Sequence, residues 1–334
     1  MDDDHVRLSH GNGGRLTREL VETVFARHLS NPLLDLAGDA ARLPETAGEL
    51  MLTTDGFTVQ PLEFPGGNIG SLAVNGTVND LAVAGARPLW LTLNAFIEEG
   101  FERAALERIV AALGQAAREA GVTVVAGDTK VLPRGQGGGV YLATTGVGVR
   151  ASAQPLALGL IRPGDVLLVS GPVGDHGTAV MLAREQFGLR GDLASDCASV
   201  LPLAQAIWNL PGLRFMRDPT RGGLATVAHE IARSVNATVR LTAAAVPVRP
   251  PVAAVCEMLG YDPLYLACEG RVVAVVDPAD ASAALAAWRA LPLGREANLI
   301  GRIERGAPWV VVETPFGGER LLEELEDDPL PRIC

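Results

Sequence analysis

The chain ends on a thiol, Pro331-Arg332-Ile333-Cys334, and carries a single lysine, Lys130, among its 28 basic residues. A terminal thiol is a soft nucleophile that can be loaded with an acyl-type group and carried on a mobile arm. Prenylation needs the cysteine fourth from the end, so a lipid anchor does not account for it. Arginine keeps its proton, whereas an ammonium is compact and can be tuned to release or deliver one. Lys130 sits in Gly127-Asp128-Thr129-Lys130, beside a carboxylate and a glycine. Thr53-Thr54-Asp55-Gly56 and Gly76-Thr77-Val78-Asn79-Asp80 have the same character, and Gly38-Asp39-Ala40 is a weaker fourth. Taken singly, each acid reads as a turn former or helix cap. Read together as strand-end acids, they would converge on one rim of a sheet and offer oxygen ligands to Mg2+.

Further segments suit phosphate. His10-Gly11-Asn12-Gly13-Gly14 is either a flexible terminus or a lid over phosphates, and Pro65-Gly66-Gly67-Asn68-Ile69-Gly70 has the same ambiguity. Asp218-Pro219-Thr220-Arg221-Gly222-Gly223 opens an expected helix, whose first N–H groups attract anions while Arg221 adds a fork suited to phosphate. The same stretch also reads as a turn and cap. No Walker lysine pattern occurs. In the second half, His176 within Gly171–Gly177 and Glu269 within Leu264–Gly270 are candidates for proton transfer, or else cap and turn residues.

The elements that must position these residues come in two blocks. Strands are expected at 50–54, 72–74, 89–93, 122–126 and 140–149, where Val, Leu, Ile and Thr concentrate. Leu106, Ile109, Val110, Leu113 and Ala117 keep the spacing of a buried stripe and predict a helix over 104–120. A turn-rich junction falls near 150–164. Beyond it, strands are expected at 166–170, 238–242, 271–276, 299–303 and 309–313, with helices at 176–187, 197–208, 222–234, 251–259 and 279–290. This pattern predicts two successive α/β or α+β domains, 1–152 and 153–315. Residues 316–334 are expected to form a flexible tail, acidic from Glu319 to Asp328 and stiffened by Pro329 and Pro331. About 15 extended residues reach up to ~50 Å, enough to bring Cys334 to a distant site.

Composition narrows the classes. With 48% hydrophobic residues the chain can bury a core, and with only 4% aromatics that core must be aliphatic. The net charge of −11 and the lack of a basic stripe argue against nucleic acid as a partner. No apolar run reaches the ~18 residues of a membrane span, and Met1-Asp2-Asp3-Asp4 is the reverse of a basic leader, so a cytoplasmic location is expected. Cys197, Cys256 and Cys268 are scattered without a CxxC pair, as small core residues rather than a zinc or disulfide set.

Together these segments resemble the HypE family of nickel–iron hydrogenase maturation factors, in the PurM-like superfamily, over essentially the whole chain. The matching stretches are His10–Gly14, Phe64 through Gly76–Ala82 to Gly85-Ala86-Arg87-Pro88, Glu98-Glu99-Gly100-Phe101, Gly127–Lys130, Gly171–Gly177, Asp218–Gly223 and the terminal Pro-Arg-Ile-Cys. The resemblance implies a two-domain PurM-like fold with an extended tail. It implies ATP-dependent dehydration of a carbamoyl group on Cys334 to a thiocyanate, the source of cyanide for the hydrogenase iron. HypF would be the carbamoyl donor, a HypC–HypD complex the cyanide acceptor, and the chain a homodimer paired through N-terminal strands. Onto matching positions it places Mg2+ and phosphates at Asp55, Asp80, Asp128 and Asp218, with Asp39 in reserve. ATP contacts are expected at Gly11, Gly13, Gly14, Asn79, Gly127, Thr129, Arg221, Gly222 and Gly223. Lys130 would polarise phosphate or move a proton, and Glu269 would be the base. The chain departs from the family at Cys268 and Arg271, where Asn and Lys are expected, at Asn12 for Ser, and at Gly56 after Asp55. Selenophosphate synthetases, in the same superfamily, would want Cys and Lys in the early loop, and residues 1–30 hold neither.

Overall fold

The computed structural model describes residues 4–36, 38, 40–184 and 191–325. They form two compact units: the described residues through Leu81 with Arg87–Arg150, and Ala82–Ala86 with the described residues from Ala151 onward.

The first unit contains α1 (Arg15–Leu20), continued by a π-helical stretch (Val21–Ala26) and α2 (Arg27–Leu29), then β1 (Leu50–Phe57), the short pair β2 (Glu63–Phe64) and β3 (Gly67–Asn68), and α3 (Ile69–Val83). β4 (Ala86–Glu98), α4 (Arg103–Ala120), β5 (Thr123–Leu132) and β6 (Val140–Arg150) complete it. The sheet order is β1-β6-β4-β5, with β1 antiparallel to β6 and β4 parallel to β5. In α4 the expected stripe is buried, and Gly121 ends the helix at φ 69°, a left-handed cap that glycine adopts without steric cost.

The expected strand at 72–74 is helix instead. Asn68 Oδ1 accepts hydrogen bonds from the N–H groups of Gly70 (2.9 Å) and Ser71 (3.1 Å), capping α3. The apolar run Leu72–Val74 is buried because α3 packs tightly, not because it pairs in a sheet. A Cβ on Gly70 would collide with the Ile109 carbonyl of α4, and one on Gly76 would meet Phe57 of β1 at 2.9 Å.

The second unit runs β7 (Val166–Val169), α5 (Asp175–Ala183), α6 (Leu201–Ile207), β8 (Leu213–Arg217), α7 (Gly223–Val235), β9 (Thr238–Thr242), α8 (Pro250–Leu259), β10 (Val273–Val276), α9 (Pro278–Arg289), β11 (Asn298–Glu304), β12 (Val310–Glu313) and β13 (Glu319–Leu321). Among the described residues its sheet has the order β13-β12-β9-β11-β7-β10-β8, with only β12/β9 parallel. Val273–Val276 are buried throughout, as a strand covered on both faces requires. One face packs on α7 with Leu224, Ala228 and Ile231, the other on α6 and α9 with Leu203, Ile207 and Trp288. β8 was not anticipated. The stretch from Phe316 is not wholly tail: Glu319–Leu321 pair with β12, and Leu322 is buried. The pairing carries on to Leu322, whose N–H donates to the Val310 carbonyl at 2.9 Å, so the strand forms despite the acidic composition there.

Candidate functional site

In the first unit, β5 carries the lysine. The β4–β5 register slips between Leu91 and Thr92, so Leu91 pairs with Val124 but Thr92 with Ala126. The extra residue, Val125, is a bulge that shifts which side chains Gly127–Lys130 present on each face. Asp128 and Lys130 then register with Asn94 and Phe96 on the sheet face opposite buried Leu93, Ala95 and Ile97. Lys130 Nζ lies 3.0 Å from Asp128 Oδ2, both side chains more than half exposed. That contact, a hydrogen bond from the ammonium above all, holds the Asp128 carboxyl below its ordinary range.

Gly11 lies against the same strand, where a Cβ would come 2.8 Å from the Val131 amide nitrogen, so the His10–Gly14 loop seats beside Lys130. Gly13 adopts φ 79° and Gly14 precedes α1. His10 is buried, its Nδ1 accepting the Arg7 N–H at 2.9 Å. Adjacent to this edge is a pocket of about 260 Å3. Val21 and Phe25 line it on the helical side, Leu36 on the following loop, and Gly127, Asp128 and Thr129 on β5.

The other acids are placed differently from the expected rim. Asp80 lies within α3, not at a strand end, and its Oδ2 accepts the Thr53 hydroxyl at 2.8 Å. Asp55 is two residues beyond Thr53 and shares its side of β1. Asp55 and Asp80 therefore border the helix-covered face of one edge strand. Asp128 projects from the opposite face at the other edge, three strand spacings or roughly 14 Å away. The strand-end convergence is thus corrected: these acids sit inside β1, α3 and β5, and the two-residue alternation of strands sends them to opposite faces. Asn79 is 1% exposed and faces the protein interior. Among the described residues no three His, Cys, Asp or Glu side chains group as a metal centre. A divalent ion at Asp55 and Asp80 would take its remaining ligands from phosphate oxygens and water, which is how Mg2+ is commonly held beside nucleotides.

In the second unit, two motifs meet. Gly222 and Gly223 adopt φ 69° and 58°, and a Cβ on Gly223 would press on the Leu264 and Leu266 carbonyls at 2.6 Å. These glycines are needed for the turn and for close packing. Cys268 N donates to Pro219 O at 3.0 Å, so the Asp218–Gly223 loop and the Cys268–Arg271 segment are one assembly. Asp218 is buried and Arg221 exposed. Cys268 Sγ accepts the Gly174 N–H at 3.2 Å, and burial pushes its thiol well above the ordinary range. Glu269 is 4% exposed. Arg271, 4% exposed, donates to Pro172 O at 2.8 Å and lies between Asp175 (3.4 Å) and Asp196 (3.5 Å). Asp196 falls in a Ser/Asp-rich stretch that, in sequence, reads as an ordinary cap for the following helix. Cys334 and Asp39 lie outside the described residues.

Two buried groups here titrate in opposite senses. Burial lowers the His176 imidazole to about 4, with Asp196 opposing the shift. Burial, then repulsion from Asp196, raises Asp175 to about 6 against Arg249 and Arg271. For His176 the folded value lies below the unfolded 6.5, so stability is lost as pH falls through that interval. For Asp175 the folded value lies above the unfolded 3.8, so stability is gained as pH falls below about 6. The two nearly offset in the wild type. Asp175→Asn removes the compensation, and urea unfolding should show it losing about 1–2 kcal/mol more than wild type between pH 7 and pH 5. Equal losses in the two proteins would contradict this assignment.

Comparison with known proteins places the architecture. Residues 37–150 match the N-terminal domain of AIR synthase related proteins, and residues 162–312 match their C-terminal domain. The class is therefore that of two-domain PurM-like proteins. A carbamoyl dehydratase HypE of Rhodobacter capsulatus is 48% identical over 339 residues, covering 99% of both chains. A crystal structure of hydrogenase maturation protein HypE in complex with ATP has TM-score 0.93 and 44% identity, covering 98% of this chain and 99% of that one. A crystal structure of a HypE–HypF complex has TM-score 0.81 at 40% identity, covering 93% and 100%. The chain belongs to the HypE family of carbamoyl dehydratases.

Proposed function

We propose that this chain uses ATP to dehydrate a carbamoyl group carried on Cys334, giving a protein thiocyanate that supplies cyanide to a nickel–iron hydrogenase iron centre. The thiocarbamate oxygen is a poor leaving group until it takes the γ-phosphoryl group and ADP departs. Loss of the nitrogen protons then lets the C–O bond break with phosphate leaving, and the carbon–nitrogen bond becomes triple. The balance is thiocarbamate plus ATP to thiocyanate, ADP and phosphate, with no oxidant or reductant.

The observation that carries this reading is the only lysine, paired with Asp128 beside a largely apolar pocket that Gly127, Asp128 and Thr129 help to line. Phosphoryl transfer asks a protein for positioning and charge neutralisation more than covalent help. In the reading, Gly11, Gly13, Gly14, Gly127 and Thr129 frame the nucleotide and Lys130 neutralises phosphate charge. Asp55 and Asp80 hold Mg2+, which when bound offsets the triphosphate charge. Asp128 adds to the polar surround of Lys130; in the second unit, Asp218, Arg221, Gly222 and Gly223 are the phosphate-binding candidates and Glu269 is the acceptor of the nitrogen proton. Residues 1–152 form the nucleotide-binding domain and 153–315 the second. The C-terminal arm that bears Cys334 carries the substrate; its described part is held by the β13 pairing, by the Tyr265 hydroxyl donating to the Glu323 carbonyl at 2.6 Å and by the Arg233–Glu324 ion pair.

Partners follow from the reaction. A HypF protein is the carbamoyl donor, and HypC–HypD the cyanide acceptor. The cytoplasm suits a carrier thiol that must stay reduced. No helix among the described residues is long and apolar enough to cross a membrane. A homodimer through N-terminal strands is supported by β1, an edge strand whose Leu50 and Leu52 are 60% and 70% exposed. Sedimentation should give a dimer for wild type and a monomer for Leu52→Arg; a monomeric wild type would remove the dimer.

The function is tested by intact mass. After incubation with HypF and carbamoyl phosphate the chain should gain one carbamoyl group, and on adding ATP it should lose one water. ATP turnover without that second mass change would sink the reading.

A further inference from the structure

Glu269 does not stand by itself in the second unit. Its backbone N–H donates to Asp196 Oδ1 at 3.1 Å, and the next N–H, of Gly270, to Asp196 Oδ2 at 3.3 Å. The strap is returned by the Ala198 N–H, which donates to the Glu269 carbonyl at 3.3 Å. A carboxylate receiving two successive amides through its two oxygens fixes the peptide plane between them, and so the direction in which the Glu269 side chain leaves the backbone. Gly270 shows how close this contact is, since any Cβ there would collide with the Asp196 carbonyl.

The clamp is itself anchored. Arg271 Nε is 3.5 Å from Asp196 Oδ2, and its other end reaches Asp175 at 3.4 Å. The guanidinium is pinned by the Pro172 carbonyl at 2.8 Å and the Leu293 carbonyl at 3.3 Å. On the other side of the strap, Ser195 Oγ accepts the Cys197 N–H at 3.0 Å and lies 2.8 Å from His176 Nδ1. Both Arg271 and the Asp196 carboxylate are almost fully removed from solvent, so their attraction is weakly screened and losing either strands the other.

We infer that Asp196, held by Arg271, is a positioning residue for the dehydration step, setting the orientation of Glu269 through its backbone. This rests on the reading of Glu269 as the proton acceptor. Arg271 also gives a reason for the departure from the expected lysine: a guanidinium can reach two carboxylates and two carbonyls from one rigid plane, which an ammonium cannot do at these separations.

The test follows single-turnover dehydration of Cys334-carbamoylated chain by intact mass at saturating ATP, in Asp196→Asn, Glu269→Gln and the double variant. An amide at 196 keeps one acceptor but turns a donor toward the second N–H. Asp196→Asn should carbamoylate normally and dehydrate roughly 10- to 100-fold more slowly, the cost of a small misplacement of a reacting group. In the Glu269→Gln background it should slow the step no further, because its effect passes through Glu269. Full multiplication of the two effects, or a rate for Asp196→Asn within about twofold of wild type, overturns the positioning role. A wild-type rate for Glu269→Gln instead overturns the base assignment, and slow dehydration by Asp196→Asn would then show that Asp196 acts elsewhere. Should Asp196→Asn not yield folded protein by its melting transition, Arg271→Lys carries the same comparison. It should slow dehydration alone but not in the Glu269→Gln background.

Discussion

Cys334→Ala should show neither mass change: no carbamoyl gain with HypF and carbamoyl phosphate, and no loss of water when ATP follows. The expected loss is complete rather than partial, because the substitution removes the atom to which the substrate is bonded. The other three cysteines cannot take over. Cys256 and Cys268 are buried and burial pushes both thiols up, Cys256 to about 11, so neither offers a thiolate at neutral pH. Cys197 is half-buried within the loop strapped to Glu269. Cys334→Ser sharpens the result, since a hydroxyl is a far weaker nucleophile than a thiol and should remain unloaded under the same conditions. A carbamoyl adduct on the alanine variant would move the carrier elsewhere and dissolve the proposed role of the tail.

Lys130→Ala separates loading from chemistry. The variant should accept the carbamoyl group as wild type does, then fail to dehydrate it, with the single-turnover step slowed on the order of 10²- to 10³-fold. That is the usual cost of removing one donor aimed at developing charge. Folding should be unaffected, because both partners of the Lys130–Asp128 pair are more than half exposed and such pairs contribute little to stability. No other lysine exists to substitute for it. Lys130→Arg then distinguishes two roles. Recovery of the rate would assign Lys130 to charge neutralisation, which a guanidinium also provides, and continued failure would assign it to proton transfer, which a guanidinium cannot perform. Normal dehydration by the alanine variant would remove Lys130 from the mechanism.

The chain dictates a good deal without its tertiary structure. The stripe Leu106–Ala117 makes α4 by its periodicity, and the all-valine-and-alanine run at 273–276 makes a fully covered strand by its short, unbroken apolar character. The chemical inventory was legible too: one ammonium, a terminal thiol, and acids beside glycines are matters of residue type. Local sequence misled where two readings of the same run competed. Leu72–Val74 suits a strand or a buried helix, and the decision lay with Asn68 capping α3 and with Gly70 and Gly76 admitting it against α4 and β1.

What tertiary structure decided is which groups meet. Asp55, Asp80 and Asp128 look equivalent in sequence, yet a strand turns alternate side chains to opposite faces and a single bulge at Val125 shifts the set carried by β5. Asp80 consequently joins Thr53 near Asp55, while Asp128 joins Lys130 across the sheet. Asp196 was invisible for a related reason. Its partners Glu269, Gly270 and Arg271 lie more than 70 residues away in the chain, and nothing in short-range spacing records a contact that only the packing of a loop against a turn creates.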